Sequence, residues 1–415
     1  MRAAPRSGAV ASRAGRSPAL RAPSPGEPGE GSERSPSFRP HARLPRAPPS
    51  ANVRASGDEG WVDMAAKTNP GNFFEDFQVG RVIRHATPRT VSRGDAALYQ
   101  ALYGGRFAVQ SSDAFARDIG YPQAPIDDLL VFHVVFGKTV PDISLNAVAN
   151  LGYAGCRFLA PVYPGDTLSA VSEVIGVKET SSGDAGVVYV RSTGYKDDGT
   201  EVVDYVRWVL VRKRDRASPA PVPVVPELPA AVAPDAIGDA APLLHRSQWD
   251  EDLAGSPHRF EDYAVGEMID HVDGMTIEEA EHQLATRLYQ NTAKVHFNQH
   301  SEGAGRFGRR LVYGGHVISI ARSLSFNGLG SAFHLAAINA GRHVAPAFAG
   351  DTIYAWSAIK AAAELPGRRD LGALRVRTIA TKNRTCADFP DKGADGAADP
   401  SVVLDLDMWL ILPRK

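Results

Sequence analysis

Between Tyr289 and Ser319 the sequence gathers side chains that move protons, hydrogen-bond water and carry positive charge. His296, His300 and His316 are of the one side-chain type whose unperturbed charge changes between pH 5 and 8, so each can act as acid or base near neutrality. Asn291 and Asn298 bring amides, which hydrogen-bond but take no proton at neutral pH. Lys294, Arg306, Arg309 and Arg310 are cations suited to a carboxylate or a phosphate, although a solvated basic loop would have the same composition. Tyr313-Gly314-Gly315 then opens an apolar run to Leu324 that reads as a buried helix, and the free N–H groups at such a helix start favour developing negative charge. Arg322 stands on that run two turns past Gly314, where an unpaired charge is costly, so it is expected to meet an acid or to face a pocket. The H-x-x-x-H spacing of His296 and His300 hints at a metal, but no carboxylate accompanies it, and none is expected there.

These residues sit in the second of two copies of one pattern. Phe74-Glu75-Asp76-Phe77-Gln78-Val79-Gly80 recurs as Phe260-Glu261-Asp262-Tyr263-Ala264-Val265-Gly266, and the register carries on through His85 and His271, Thr90 and Thr276, Tyr103 and Tyr289. Arg157…Ala160-Pro161…Gly165-Asp166-Thr167 likewise matches Arg342…Ala345-Pro346…Gly350-Asp351-Thr352. Repeats this long signify a duplicated domain. Each copy holds one apolar helix, Asp127–Phe136 and Gly315–Leu324, followed by alternating β-branched segments that read as antiparallel strands. The expected boundaries are a first half over 64–214, a Pro/Ala-rich connection over 215–245 that is extended and semi-rigid, and a second half over 246–415. Because His85 and His271 recur in both copies, they are expected to be structural.

Composition narrows the function classes. A formal net charge of −1 gives no field to draw nucleic acid. No stretch approaches the ~20 apolar residues of a membrane span. Two cysteines, Cys156 and Cys386, make neither a disulfide framework nor a zinc motif, which suits a reducing cytoplasm. Residues 1–63 are rich in Arg, Pro and Ser and are expected to form a disordered leader, with Met64 as the functional start. A transit peptide would need an amphipathic helix, which Pro45, Pro48 and Pro49 would break.

The duplication, the paired R-x-x-A-P-x-x-x-G-D-T segments and the apolar helix behind a glycine resemble the MaoC-like double-hotdog dehydratases over roughly residues 69–413. That resemblance implies an α+β fold, two antiparallel sheets each wrapped round a long buried helix, without cofactor or metal. The run Tyr289–His300 with Tyr313–Ser319 further resembles the mesaconyl-CoA hydratase (β-methylmalyl-CoA dehydratase) subgroup, which hydrates an enoyl-CoA reversibly and serves the ethylmalonyl-CoA pathway. An acyl-CoA thioester is the implied partner, and a homodimer is a compatible assembly.

Related hydratases carry D-x-N-P-x-H and, downstream, F-G-x-P-I-V-H-G. Registered on Phe307-Gly308-Arg309-Arg310-Leu311-Val312-Tyr313-Gly314, the resemblance assigns the catalytic histidine to His296 and the oxyanion N–H to Gly314, and puts Asn291 where the family has its aspartate. The base is then either His296 alone, with Asn291 holding water, or a carboxylate from Glu302 or from the pair Asp127 and Asp128. Gly315, Tyr313, Asn298, Arg306, Arg309, Arg310 and Arg322 are expected to contact substrate. The first half has Gln110 in place of the histidine and Gly105 in place of the aspartate, so it is expected to be non-catalytic, with Gln110 free to touch substrate or merely to shape a turn. Hydration of a different 2-enoyl-CoA, thioesterase action, or acyl-CoA binding without catalysis are the competing readings.

Overall fold

The computed structural model describes residues 67–393 and 395–415, so the expected leader over 1–63 lies outside the described residues. Eleven strands form one sheet: β1 (Val82–Thr90), β2 (Ala147–Phe158), β3 (Thr167–Glu179), β4 (Ala185–Lys196), β5 (Glu201–Arg212), β6 (Met268–Asp270), β7 (Met275–Thr276), β8 (His334–His343), β9 (Thr352–Glu364), β10 (Leu371–Lys382) and β11 (Val402–Pro413). Among the described residues, the longer helices are α1 (Arg93–Tyr103), α2 (Asp128–Ile143), α3 (Glu279–Leu288) and α4 (Gly314–Leu324). The strand order β1-β3-β4-β5-β2-β8-β11-β10-β9-β6, with β7 also on β9, repeats about its centre. Every pairing is antiparallel, and β2 meets β8 with Tyr153 opposite Gly341 and Arg157 opposite Ala337, which joins the two halves of the double hotdog edge to edge.

Each half is organised by its apolar helix. Leu129–Val140 of α2 and Gly315–Arg322 of α4 are buried without a break, as their composition requires. The Asp127 carboxylate starts α2 by accepting the Leu129 N–H at 2.9 Å. Both helices share one core with the sheet, which includes Leu130, Phe132 and Val135 of α2, Val317 and Ile318 of α4, and Leu404 and Leu406 of β11. Burial of each such side chain stabilises the fold by about 1.5–3 kcal/mol.

The repeat is visible contact by contact. The F-E-D segments form single helical turns whose Phe74 and Phe260 rings press on Gly186 and Gly372, where any Cβ would lie within 2.6 Å of ring carbons. His85 donates from Nδ1 to Asp142 and its Nε2 bonds the Ser172 hydroxyl, both at 2.8 Å; His271 donates to the Asn327 carbonyl at 2.7 Å and bonds Ser357 at 2.8 Å. His85 thus ties β1 and β3 to the end of α2, and His271 ties β9 to the turn at Asn327. Tyr103 and Tyr289, which correspond in the repeat, share a hydrogen bond of 2.6 Å between their hydroxyls.

The connection between the halves is pinned along its length. Val224 exchanges backbone hydrogen bonds with Val177, Trp409 donates to the Val232 carbonyl at 2.9 Å, and Arg368 donates to the carbonyls of Gly238, Ala241 and Pro242. No helix among the described residues is long and apolar enough to cross a membrane.

Candidate active site

Helix α4 begins at Gly314 with Tyr313 as its N-cap residue, and no side chain caps it. The His316 N–H donates to the Tyr313 carbonyl at 2.9 Å, and the Gly314 and Gly315 N–H groups ahead of it are left for an anion. Only glycine fits at the start: a Cβ on Gly314 would lie 2.3–2.6 Å from the His343 ring, and one on Gly315 would strike the Tyr313 and His133 rings. Aromatic side chains thus close directly on the backbone at the start of the helix.

His296 lies on the short helix Lys294–Phe297, its ring 5.5 Å from that of Tyr313. Nδ1 is 2.9 Å from the Leu311 carbonyl, which can only accept, so Nδ1 carries the proton and Nε2 keeps its lone pair. Burial lowers its pKa to about 4, against the opposing pull of the Leu311 carbonyl and with a further push from His282, so the ring is a neutral base at pH 7. Gln283 donates to the His296 carbonyl and fixes this turn against α3.

Around this pair the two halves interleave. His343, at the end of β8, lies on Gly314 and has Nε2 3.3 Å from the Tyr153 hydroxyl. His133 of α2 bonds Ser319 at 3.0 Å, and its Nδ1 is 3.4 Å from the Tyr313 hydroxyl. The Tyr103 hydroxyl also bonds His316 Nδ1 at 2.8 Å. Burial lowers the pKa of His133 and His316 to about 3 and that of His343 to about 4. All are neutral at pH 7, and His316 is held by a tyrosine while His300 is exposed, so the three histidines of the sequence do not converge as metal ligands.

The residues expected from the sequence divide. His296, Tyr313, Gly314 and Gly315 come together. Asn291 is buried at the mouth of the same turn, but its Oδ1 accepts the Ala293 N–H at 3.0 Å, which leaves its NH2 end as the available one. Asn298 is exposed and caps the helix Gln299–Gly303 through the Ser301 N–H. Arg309 donates to the Ala349 carbonyl at 2.6 Å, Arg306 is exposed over Phe307, and Arg310 is paired with Glu279 at 2.7 Å.

Arg322 and Gln110 belong to the other end of the helix pair. Arg322 is eight residues along α4 from Gly314, about 12 Å at 1.5 Å per residue. It stacks 3.8 Å from the Phe107 ring, donates to Ser325 and to the Ala332 carbonyl, and lies in the field of Asp127 and Asp128. Gln110 donates to the Phe333 carbonyl at 2.7 Å beside it. The alternative carboxylates are placed as firmly. Asp128 accepts from His334 Nδ1 at 2.9 Å and from the Leu335 N–H, Asp127 caps α2, and Glu302 accepts from Ser301.

Comparison with known proteins gives this arrangement its context. The mesaconyl-CoA hydratase family profile matches residues 58–221. The chain is 62% identical over 352 residues to the β-methylmalyl-CoA dehydratase of Chloroflexus aurantiacus, covering 85% of this chain and all of that one. It is 58% identical over 350 residues to the mesaconyl-CoA hydratase of Cereibacter sphaeroides, covering 84% of this chain and all of that one. The chain belongs to the mesaconyl-CoA hydratase family. The solved structure of a MaoC domain protein from Chloroflexus aurantiacus superposes with a TM-score of 0.83 at 62% identity, over 85% of this chain and all of that one.

Within this family member the sequence reading missed His343, His133 and Tyr153. A signal existed for the first: Arg342-His343-Val344-Ala345-Pro346 repeats Arg157-Phe158-Leu159-Ala160-Pro161, and the ionisable residue appears in one copy alone. His133 is the polar interruption of the apolar run that became α2. Tyr153 carries no local signal, because only the β2–β8 junction brings it to His343.

Proposed function

We propose that the chain catalyses the reversible hydration of mesaconyl-CoA to β-methylmalyl-CoA at the Gly314 end. The thioester oxygen sits at the free N–H groups of α4, and His296 Nε2 takes a proton from a water held by the Asn291 NH2 group. The water oxygen bonds to the carbon β to the thioester, and the π electrons move to the thioester oxygen as an enolate. Protonation of the α-carbon by the imidazolium then returns the base and restores the thioester. A proton moves from water to carbon, and nothing is oxidised or reduced.

The observation that carries this reading is the fixed tautomer of His296, a neutral base turned by the Leu311 carbonyl and adjoining Tyr313, the residue before Gly314. Glu302, Asp127 and Asp128 are engaged elsewhere, which supports His296 acting without a carboxylate partner. The names and identities of the two curated relatives support mesaconyl-CoA as substrate. On this reading the half over 246–415 carries the chemistry, the half over 64–214 completes the pocket walls, and the enzyme works in the cytoplasm. The test is a substrate screen followed by loss of enoyl-thioester absorbance, in the presence of chelator. Turnover of mesaconyl-CoA well above crotonyl-CoA is expected; preference for crotonyl-CoA would reassign the substrate, release of free CoA would indicate a thioesterase, and tight binding without turnover would indicate a binding subunit.

A further inference from the structure

Arg207, on β5, is wholly buried, yet its Nε and Nη1 make no hydrogen bond among the described residues. Nη2 donates to the Thr139 hydroxyl at 2.8 Å and reaches Ser144 at 3.5 Å, both at the C-terminal end of α2, and the guanidinium lies 4.2 Å from the Phe136 ring centroid. Tyr205, two residues earlier on the same face of the strand, is also fully buried, and its hydroxyl lacks a hydrogen-bond partner although Ser192 and Thr139 are near. Unused donors on two neighbouring side chains therefore share one buried spot. A guanidinium buried without an anion is costly, and the end of a helix dipole offsets at most about 2 kcal/mol of that. The other buried arginine shows what balance looks like: Arg322 has Asp127 and Asp128 in its field, whereas the titratable groups around Arg207 reduce to the neutral hydroxyls of Tyr205, Tyr153 and Tyr313.

The spot adjoins the catalytic end. Arg207 is the cross-strand partner of Tyr153, whose hydroxyl is 3.3 Å from His343 Nε2, and the His343 ring lies on Gly314. The Phe136 ring under the guanidinium is also 5.7 Å from the ring of Tyr313. A thioester held at Gly314 would direct its acyl group along this wall, and in a fumaryl-type acid the free carboxylate is three bonds beyond the thioester carbon. We propose that Arg207, assisted by Tyr205, receives the free carboxylate of the substrate and so selects dicarboxylic over monocarboxylic 2-enoyl-CoA thioesters. This rests on the hydration reading above.

The experiment measures binding of two saturated thioesters, methylsuccinyl-CoA and butyryl-CoA, to the full chain and to Arg207→Met, with wild-type hydration of mesaconyl-CoA run alongside. The variant is expected to lose about 100-fold in affinity for methylsuccinyl-CoA, the loss typical of a buried charge-assisted pair. Butyryl-CoA binding should change less than about 3-fold, and the melting temperature should hold or rise, because an unpaired buried charge has been removed. Equal losses for both thioesters, with a lower melting temperature, would make Arg207 a structural support of α2 and overturn the proposal, as would no change for either. Should the Met variant fail to fold, Arg207→Lys keeps the charge without the fork and is expected to weaken methylsuccinyl-CoA alone by about 10-fold; an unchanged preference overturns the proposal. A wild type that binds methylsuccinyl-CoA but does not hydrate mesaconyl-CoA would refute the hydratase reading and leave the Arg207 result to be judged on binding.

Discussion

At the start of α4, Gly314 leaves its helix end open beneath His343 and beside the neutral base His296. At the start of α2, Asp127 closes the helix end with its own carboxylate, Asp128 holds His334, and Gln110 takes the place that His296 has in the other copy. One repeat has produced a helix start without a side-chain cap and a helix start capped by its own carboxylate. The charges follow suit: Arg322 at the Asp127 end has carboxylates in its field, and Arg207 at the Gly314 end has none among the described residues. The contrast teaches that one repeat can leave a helix start uncapped or close it with its own carboxylate; what separates the two ends is the carboxylate near the buried arginine and not unpartnered atoms as such, since Gln110 Oε1 and His334 Nε2 also lack partners at the Asp127 end.

The largest expected break in this comparison is His296→Ala, which should lower kcat for mesaconyl-CoA hydration by about 10²–10⁴-fold with little change in melting temperature, read by enoyl absorbance and calorimetry. Arg322→Met should act oppositely. It leaves the Ser325 hydroxyl and the Ala332 carbonyl without their donor and removes the positive field from Asp127 and Asp128, so stability should fall by about 1–3 kcal/mol in denaturant titration, with activity kept below the melting transition.

Acid sharpens the comparison further. His133, His271, His296, His316 and His343 have pKa values of about 3 to 4, below the ordinary histidine value, so between those values and pH 6.5 the unfolded chain binds more protons. Their contribution is full above pH 6.5 and is lost as pH falls, at up to about 1.4 kcal/mol per pH unit for each group. Asp127, pushed up to about 6 by burial and by Asp128, works the other way, since its contribution is present at low pH and lost as pH rises through 6. The five histidines outweigh the single carboxylate, and the melting temperature should drop between pH 7 and pH 5; a rise would refute the assignment of neutral buried rings. The smallest effect is expected from Gln110→Ala, which should change kcat/KM by less than about 3-fold, or about 0.6 kcal/mol.

Much of this was legible in the residues themselves. Apolar runs at Leu129–Phe136 and Gly315–Ala321 had to be buried, and the doubled F-E-D and G-D-T segments required a doubled fold. The continuity of the sheet through β2 and β8 was hidden, because a pairing between copies leaves no mark on either strand. Arg322 was read as meeting an acid or facing the pocket, and it lies at the Asp127 end because α4 carries it there. Arg207 escaped notice since it sits in an alternating strand, Val203–Leu210, where an arginine ordinarily points to water; only the fold turns it inward.

The most direct test of the division between the two ends is the stoichiometry of methylsuccinyl-CoA binding, measured by calorimetry on the full chain and on Gly314→Val, whose side chain would displace the His343 ring from the helix start, with the melting temperature of the variant read alongside to show that it folds. One equivalent per chain, lost in the variant, is the expected result. Two equivalents per chain, or one that survives Gly314→Val, would contradict it and place substrate at the Asp127 end as well.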